Sequence, residues 1–118
     1  MNWTLLASIY GAVAVVAGAF GAHGLKARLT ADQLSSWNTA TEYHLIHSIV
    51  LLALALYHAA TGRTIQTPAL LFAVGIVLFS GSIYGLVLTD QRWLGPVTPA
   101  GGILLIGGWI SLLGVDRG

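Results

Sequence analysis

Four long apolar segments, separated by polar links, make up most of the chain. They lie at about residues 3–22, 40–60, 68–89 and 98–115. A helix needs about 20 apolar residues to cross the roughly 30 Å hydrocarbon layer, so these segments predict membrane-spanning helices. Because short links make consecutive helices run antiparallel, we expect one all-α domain over residues 1–118. It would be an integral membrane four-helix up-down bundle with both termini on one side.

The first link contains a signal for the start of a helix. Thr30 and Gln33 fit a capping box, in which each side chain bonds the backbone N–H of the other residue. Leu34 and Trp37 follow at helical spacing. We therefore expect residues 31–39 to form an amphipathic segment at the membrane interface that leads into the second membrane helix.

The approach to the fourth helix holds two prolines, Pro96 and Pro99, in the stretch WLGPVTPAGG. Residues 94–100 are therefore compatible with a helix start or with a shallow re-entrant piece. Non-helical backbone is tolerated at membrane depth only where protein covers it, so both arrangements stay open.

Small residues mark the surfaces at which membrane helices pack. In lipid the hydrophobic effect does not drive helices together, so their association depends on close van der Waals contact, which small residues allow. Gly81 and Gly85 form a GxxxG pattern. The predicted packing positions are Gly18, Gly21, Gly81, Gly85, Gly101 and Gly102. Such positions serve packing within one chain or between chains, so a homo-oligomer and contact with other membrane proteins both stay open.

The composition excludes several classes of function. Of the 118 residues, 56% are hydrophobic and 8% are charged, whereas a soluble domain carries roughly 25% charged residues. A net charge of +1 leaves no basic surface for nucleic acid. The absence of cysteine rules out disulfides, thiolate metal sites and cysteine nucleophiles. The lipid bilayer is therefore the expected surrounding, and nucleic acid is not an expected partner.

The basic residues indicate an orientation. No Lys or Arg precedes the first apolar run, whereas a secretory signal peptide begins with a basic segment, so we expect that run to be a retained helix. Lys26, Arg28 and Arg92 lie in the first and third links, against Arg63 and Arg117 on the opposite side. Because cytoplasmic loops carry an excess of Lys and Arg, the first and third links are predicted to be cytoplasmic.

Polar side chains collect at one end of the predicted bundle. His44 and His47 of the stretch EYHLIHS fall within about 60° of His58 and of each other around the second helix, but His58 lies about 16 Å further along. An ionisable residue within a membrane span is by default a functional-site hypothesis, and His47 is the strongest instance here. The candidate polar cluster consists of His23, His47, Tyr84 and Thr98, with His44, Asp90, Tyr43 and Ser80 as lower-ranked members.

Three interpretations of this cluster stay open at the level of sequence. The preferred one is structural, with His47 forming an interhelical hydrogen bond to Tyr84, Ser80 or Ser82. The second is a binding site, since imidazole suits Zn, Cu and Fe. His47 would then bind a metal ion, haem or quinone, with His23 as a further ligand. The third is the handling of a proton or a small solute.

Each chemical alternative lacks part of its usual pattern. A di-iron site needs Glu-x-x-His on one helical face, yet Glu42 points about 170° away from the histidine face, and HExxH is absent. A channel needs polar residues through the midplane, where the fourth helix offers only glycines, Trp109 and Ser111. We therefore predict no catalytic residue and no cofactor, and any metal stays unassigned.

Four motifs in the chain resemble those of a known family. They are GAFGAHGL at 18–25, EYHLIHS at 42–48, LFSGSIYGL at 78–86 and TPAGGILLIGGW at 98–109. Together they are similar to the proteins grouped as domain of unknown function 423, which include bacterial inner-membrane proteins and the eukaryotic transmembrane protein 256. The resemblance implies a four-helix integral membrane protein of the bacterial inner membrane, without an established biochemical role.

The residues that carry the resemblance are Gly21, His23, Gly24, Tyr43, His47, Ser80, Gly81, Tyr84, Thr98, Pro99, Gly101, Gly102 and Trp109. His44 and His58 lie outside the family pattern, so they rank lower. The expected function is that of a non-enzymatic accessory or assembly protein. The alternatives are a metal-, haem- or quinone-binding membrane subunit that uses His23, His47 and Tyr84, and a small transporter or proton channel.

Overall fold

The computed structural model describes residues 1–117 and is built from helices. Four of them are long and apolar enough to cross a membrane: Trp3–Ala22, Ala31–Thr61, Gln66–Thr89 and Arg92–Asp116. The described residues contain no strand. The prediction of an all-α protein with four membrane-spanning helices is therefore confirmed.

The first two helices begin at side-chain caps. α1 (Trp3–Ala22) starts after Asn2, whose side-chain oxygen accepts a backbone N–H at 3.0 Å. α2 (Ala31–Thr61) starts after Thr30, and both bonds of the capping box with Gln33 are present, at 3.1 and 2.9 Å. The interfacial segment and the second membrane helix are one continuous helix of 31 residues. It is about 46 Å long at 1.5 Å per residue.

The third span is interrupted where the sequence predicts one regular helix over about 68–89. It consists of α3 (Gln66–Ile76), a π-helical segment (Val77–Gly81) and α4 (Ser82–Thr89). A π-helical turn is wider than an α-helical turn, so the residues that follow it face a different side. Apolar periodicity does not reveal such a turn, because apolar and small residues continue through it without a break.

The fourth span begins with a turn and not with a re-entrant piece. Arg92–Leu94 forms one 3₁₀ turn, α5 (Val97–Ser111) follows, and a second 3₁₀ stretch covers Leu112–Arg117. Pro99 is tolerated in the first turn of α5 because backbone N–H groups there have no intrahelical partner. Residues 94–100 are therefore a short turn followed by the start of a helix.

The spans form a flattened arrangement with overall extents of 48 × 26 × 19 Å. α1 packs along α2, while α5 packs along α3 and the π-helical segment. The two pairs meet where α2 lies against the third span. Among the described residues, α1 has no extensive contact with the third span, and α5 has none with α2. An open groove therefore lies between α1 and the third span, and a second lies between α2 and α5.

The two ends of the bundle are distinct. The Tyr10 hydroxyl donates to the Ala73 carbonyl at 3.1 Å, and each residue lies seven positions after the start of its span, so the start of α1 and the second link lie at the same end. The Arg63 guanidinium donates to the Asp116 carbonyl, which brings the end of the fourth span to that side as well. The up-down order predicted from the short links is therefore present, and the first and third links occupy the other end.

The closest contact between helices occurs where glycine removes a side chain. A Cβ on Gly101 would overlap the backbone of Leu78 and Phe79, so α5 and the π-helical segment meet backbone to backbone. A Cβ on Gly108 would lie 2.7 Å from the ring of Phe72. These two glycines set the separation between α5 and the third span.

The other predicted packing glycines differ in their surroundings. A Cβ on Gly21 would lie 2.6 Å from the Trp37 ring, and one on Gly85 would lie 2.8 Å from Leu94. The positions with room for a methyl group are Gly18, Gly81 and Gly102. At these three positions glycine is not required by the packing of the described residues.

Replacing Gly101 by alanine should destabilise the protein, because the new methyl group has no space between α5 and the π-helical segment. Overpacking of this kind costs about 1–3 kcal/mol. The matched control is Gly18→Ala, since nothing lies within 4 Å of the added Cβ, and removing a helical glycine favours that variant by up to about 1 kcal/mol. Unfolding by SDS titration in detergent measures both changes. Equal stabilities would contradict the backbone contact.

Candidate functional site

His44 and His47 lie one turn apart on α2, but they enter two different grooves. Groove one lies between α1 and the third span, has a volume of about 260 Å³ and is lined in part by Ile9, Val13, His44, Val77, Gly81 and Tyr84. Groove two lies between α2 and α5, has a volume of about 510 Å³ and is lined in part by Tyr43, Ile46, His47, Phe79, Gly102 and Trp109. Both histidines are buried, with 6% and 5% of their surface exposed.

His44 links three spans at the floor of groove one. Its Nδ1 lies 2.9 Å from the Tyr84 hydroxyl, and the Tyr10 ring packs edge-on against it with centroids 6.2 Å apart. Tyr84 also packs against Trp37, with ring centroids 4.6 Å apart. The Trp37 indole N–H donates to the Ala17 carbonyl at 2.8 Å. These contacts join α1, α2 and α4 near the end that carries the first and third links.

His47 links α2 to α5 through its ring nitrogens. The Trp109 indole N–H donates to His47 Nε2 at 3.0 Å. Because an indole N–H only donates, Nε2 must accept, and the ring proton therefore sits on Nδ1. Nδ1 then donates to the Tyr43 carbonyl at 2.7 Å. His47 is thus held as a neutral imidazole in one tautomer, and the Phe72 ring packs against it with centroids 5.6 Å apart.

The partners of His47 and Tyr84 differ from the expectation. Tyr84 bonds His44, which ranked lower because it lies outside the family pattern, and His47 bonds Trp109. The π-helical segment precedes Tyr84 and changes the side of the third span on which Tyr84 lies, which regular helical spacing does not anticipate. Trp109 could have been identified from the sequence as a hydrogen-bonding residue of the site, because an indole N–H inside a membrane span needs an acceptor.

Ser80 and Thr98 form further contacts between helices. Ser80 is 1% exposed and donates to the Ala40 carbonyl of α2 at 2.8 Å. The Thr98 and Ser82 hydroxyls lie 2.5 Å apart and join α5 to α4. Both residues therefore satisfy polar groups at helix contacts, and neither touches His47 through a hydrogen bond in the described part of the chain.

The remaining members of the predicted cluster lie apart from one another. His23 is exposed at the end of α1. Asp90 is exposed and ends α4 in the left-handed conformation, with φ of 55°. Tyr43 is 43% exposed and stacks on Phe79 in groove two. The single polar cluster expected from the sequence is therefore divided between groove one, groove two and the exposed link end.

The polar groups inside the bundle are already bonded. Among residues 1–116, no buried side-chain nitrogen or oxygen lacks a hydrogen-bond partner. Over the same residues, no three His, Asp or Glu side chains form a group that suits a metal ion. To bind a metal, haem or quinone, His47 would have to give up its bond to Trp109 or to Tyr43. What the arrangement offers directly is attachment of one helix to another and two largely apolar grooves.

The chain is similar to proteins of one family over most of its length. The family model described as "Protein of unknown function (DUF423)" matches residues 17–102. A UPF0382 membrane protein of Staphylococcus saprophyticus is 43% identical over 92% of this chain and 91% of its own. A UPF0382 membrane protein of Schizosaccharomyces pombe is 40% identical over 92% of this chain and 95% of its own. No solved structure matches the chain significantly.

Replacing Tyr84 by phenylalanine should lower the free energy of unfolding by about 0.6–2 kcal/mol, the range of interhelical hydrogen bonds in membranes, because His44 loses its partner. The matched control is Tyr43→Phe. The contacts of Tyr43 are made by its backbone carbonyl, which accepts from His47, and by its ring, which stacks on Phe79, and phenylalanine retains both. SDS unfolding of both variants gives the comparison. A Tyr84→Phe variant as stable as Tyr43→Phe would show that the hydroxyl contributes nothing.

Proposed function

The chain belongs to the DUF423 family, and we propose that it is a non-enzymatic accessory or assembly protein of the membrane. One observation carries the proposal: the polar side chains inside the bundle are used in hydrogen bonds between helices. His47 and Trp109 join α2 to α5, His44 and Tyr84 join α2 to α4, and Ser80 joins the third span to α2. A bundle whose helices are joined in this way is suited to act as a scaffold that presents a fixed shape to other membrane proteins.

Catalysis would need a polar group that is free to react. A nucleophile or a general base must direct its reactive atom at a substrate, whereas both ring nitrogens of His47 are bonded within the protein. The hydroxyls of Ser80 and Ser82 donate to backbone carbonyls at 2.8 and 2.9 Å. These contacts support a non-enzymatic role.

Transport would need a polar path across the whole bundle. The hydrogen-bonded polar residues His44, His47, Ser80 and Ser82 lie toward the first and third links. The core toward the chain termini is apolar and includes Trp3, Ala7, Leu51, Leu54, Ile65 and Ala69. Because ion passage requires polar groups or water along the path, this core supports the accessory role over a channel or transporter.

The expected partners are lipid and other membrane-embedded chains, including a second copy of this chain. Gly18 has open space beside it, and a Cβ on Gly81 would meet only Val77, at 4.0 Å. Small residues allow a further helix to approach closely. Groove one and groove two are both largely apolar. These surfaces support contact with another membrane protein.

Replacing His47 by alanine should lower the free energy of unfolding in detergent by about 0.6–2 kcal/mol, as for other interhelical hydrogen bonds. The metal content and absorption spectrum of gently purified protein should stay unchanged, because His47 packs and binds no cofactor in this proposal. Elemental analysis and absorption spectroscopy on the wild type and the variant measure this.

The matched control for that experiment is His58→Ala. His58 is an exposed histidine at the other end of α2, so it reports adventitious binding of metal to imidazole. A near-stoichiometric metal, a Soret band or a quinone absorbance that only His47→Ala removes would support the ligand-binding alternative and overturn the accessory role.

We propose further that the protein lies in the bacterial inner membrane with its first and third links in the cytoplasm. Lys26, Arg28 and Arg92 are exposed at that end, against Arg63 in the second link and Arg117 near the C-terminus. Cytoplasmic loops are enriched in Lys and Arg, which supports this orientation. The termini and the second link would then face the periplasm.

A C-terminal fusion to alkaline phosphatase, expressed in a Gram-negative host, should be active, because the enzyme folds only in the oxidising periplasm. A C-terminal green fluorescent protein fusion should not fluoresce, because this reporter becomes fluorescent when it folds in the cytoplasm. The control is the same pair of reporters fused after Asp90 in the third link, where the pattern should be reversed. A fluorescent C-terminal fusion with inactive phosphatase would contradict the orientation.

A further inference from the structure

The hydrogen bond between Trp109 and His47 depends on the charge of His47. In the neutral ring, Nε2 accepts from the indole N–H at 3.0 Å and Nδ1 donates to the Tyr43 carbonyl at 2.7 Å. In the protonated ring both nitrogens carry a proton and both donate. A donor then faces a donor at Trp109, so this bond is lost, while the bond to the Tyr43 carbonyl is kept.

We propose that His47 and Trp109 form a proton-sensitive latch between α2 and α5, closed while His47 is neutral and open when it is protonated. Histidine is the side chain whose charge ordinarily changes between about pH 5 and pH 8. The proposal goes beyond the accessory role and does not depend on it.

The neighbouring pair of His44 and Tyr84 provides a built-in comparison. A phenolic hydroxyl both donates and accepts, so Tyr84 can donate to a neutral His44 and accept from a protonated one across the same 2.9 Å contact. An indole N–H has no such second role. The two histidines of EYHLIHS therefore respond differently to a proton, and only the bond of His47 is broken by it.

Opening the latch changes the position of the Trp109 side chain at the edge of the bundle, and it leaves the packing of the helices unchanged. α5 is fastened to the third span by the close contacts of Gly101 and Gly108, which involve no proton. Trp109 is 48% exposed and lines groove two. Among the described residues α5 has no extensive contact with α2. Protonation would therefore free the indole and reshape groove two while the helices stay in place.

Among residues 1–116, the side chains packed against His47 carry no charge that offers an alternative trigger. Tyr43 faces its ring from α2, Phe72 from the third span and Trp109 from α5, and the α1 ring in this region, Tyr10, packs on His44. The lining of groove two contains no Asp, Glu, Lys or Arg. His47 is thus the group in this groove whose protonation changes the hydrogen bonding of Trp109.

The indole Nε1–H resonance of Trp109 tests the latch directly. The full-length protein is labelled with ¹⁵N, placed in detergent micelles and titrated from about pH 8 to about pH 5, the range in which histidine ordinarily changes charge. The resonance is assigned by its loss in Trp109→Phe. We expect it to lie downfield at high pH and to move upfield in a single-proton titration, together with the ring nitrogen signals of His47. A resonance that does not move overturns the proposal.

Two variants identify the titrating group. In His47→Gln the amide oxygen can accept from the indole at every pH, so the Trp109 resonance should no longer titrate. In His44→Gln the titration should persist with its midpoint essentially unchanged. Persistence in His47→Gln, or loss in His44→Gln, overturns the proposal. If His47→Gln fails to fold, the wild-type midpoints decide, because Trp109 and His47 signals with different midpoints contradict the latch.

Discussion

Lipid supplies no hydrogen-bond partner, so each polar side chain that a span carries inward must find one inside the protein. An unbonded polar group in hydrocarbon costs several kcal/mol. Here the inward polar groups of α2 meet partners on the helices that flank it: His44 meets Tyr84, and His47 meets Trp109. The indole of Trp37 reaches back to a carbonyl of α1. This requirement determines which side chains of the other spans must face the inward polar groups of α2.

Such bonds need helices that approach closely, and glycine provides the approach. At Gly101 the backbone of α5 lies against the backbone of the π-helical segment. This contact fixes α5 on the third span, and Trp109, two turns further along α5, then reaches across groove two to His47. The fold and the candidate site therefore depend on the same contacts. Since α5 is held by glycine packing, a change in its hydrogen bond to α2 alters the groove without unfolding the bundle.

Of the candidate site, His44, His47 and Tyr84 could be named from the sequence, but the role of Trp109 as the partner of His47, and the pairs that these side chains form, could not. Helical geometry places His44 and His47 within about 60° on α2. The third span packs against α2 and lines both grooves, so this angular difference is enough to put each ring into a different groove. Tyr84 was expected at the depth of His47, but the π-helical segment before it changes its direction. His23 shares the membrane side of His44 and still lies exposed at the end of α1, because depth alone does not determine direction.

The sequence by itself determined the four spans, the capping box at Thr30, the up-down order and the family, because these follow from local apolar length, local capping chemistry and short links. Tertiary structure alone decided the turn after Gln91, the π-helical segment, the two grooves and the partner of each histidine. These depend on how backbones from distant parts of the chain approach each other. A hydrogen bond such as that between Trp109 and His47, 62 positions apart, exists only once glycine packing has set the positions of both helices.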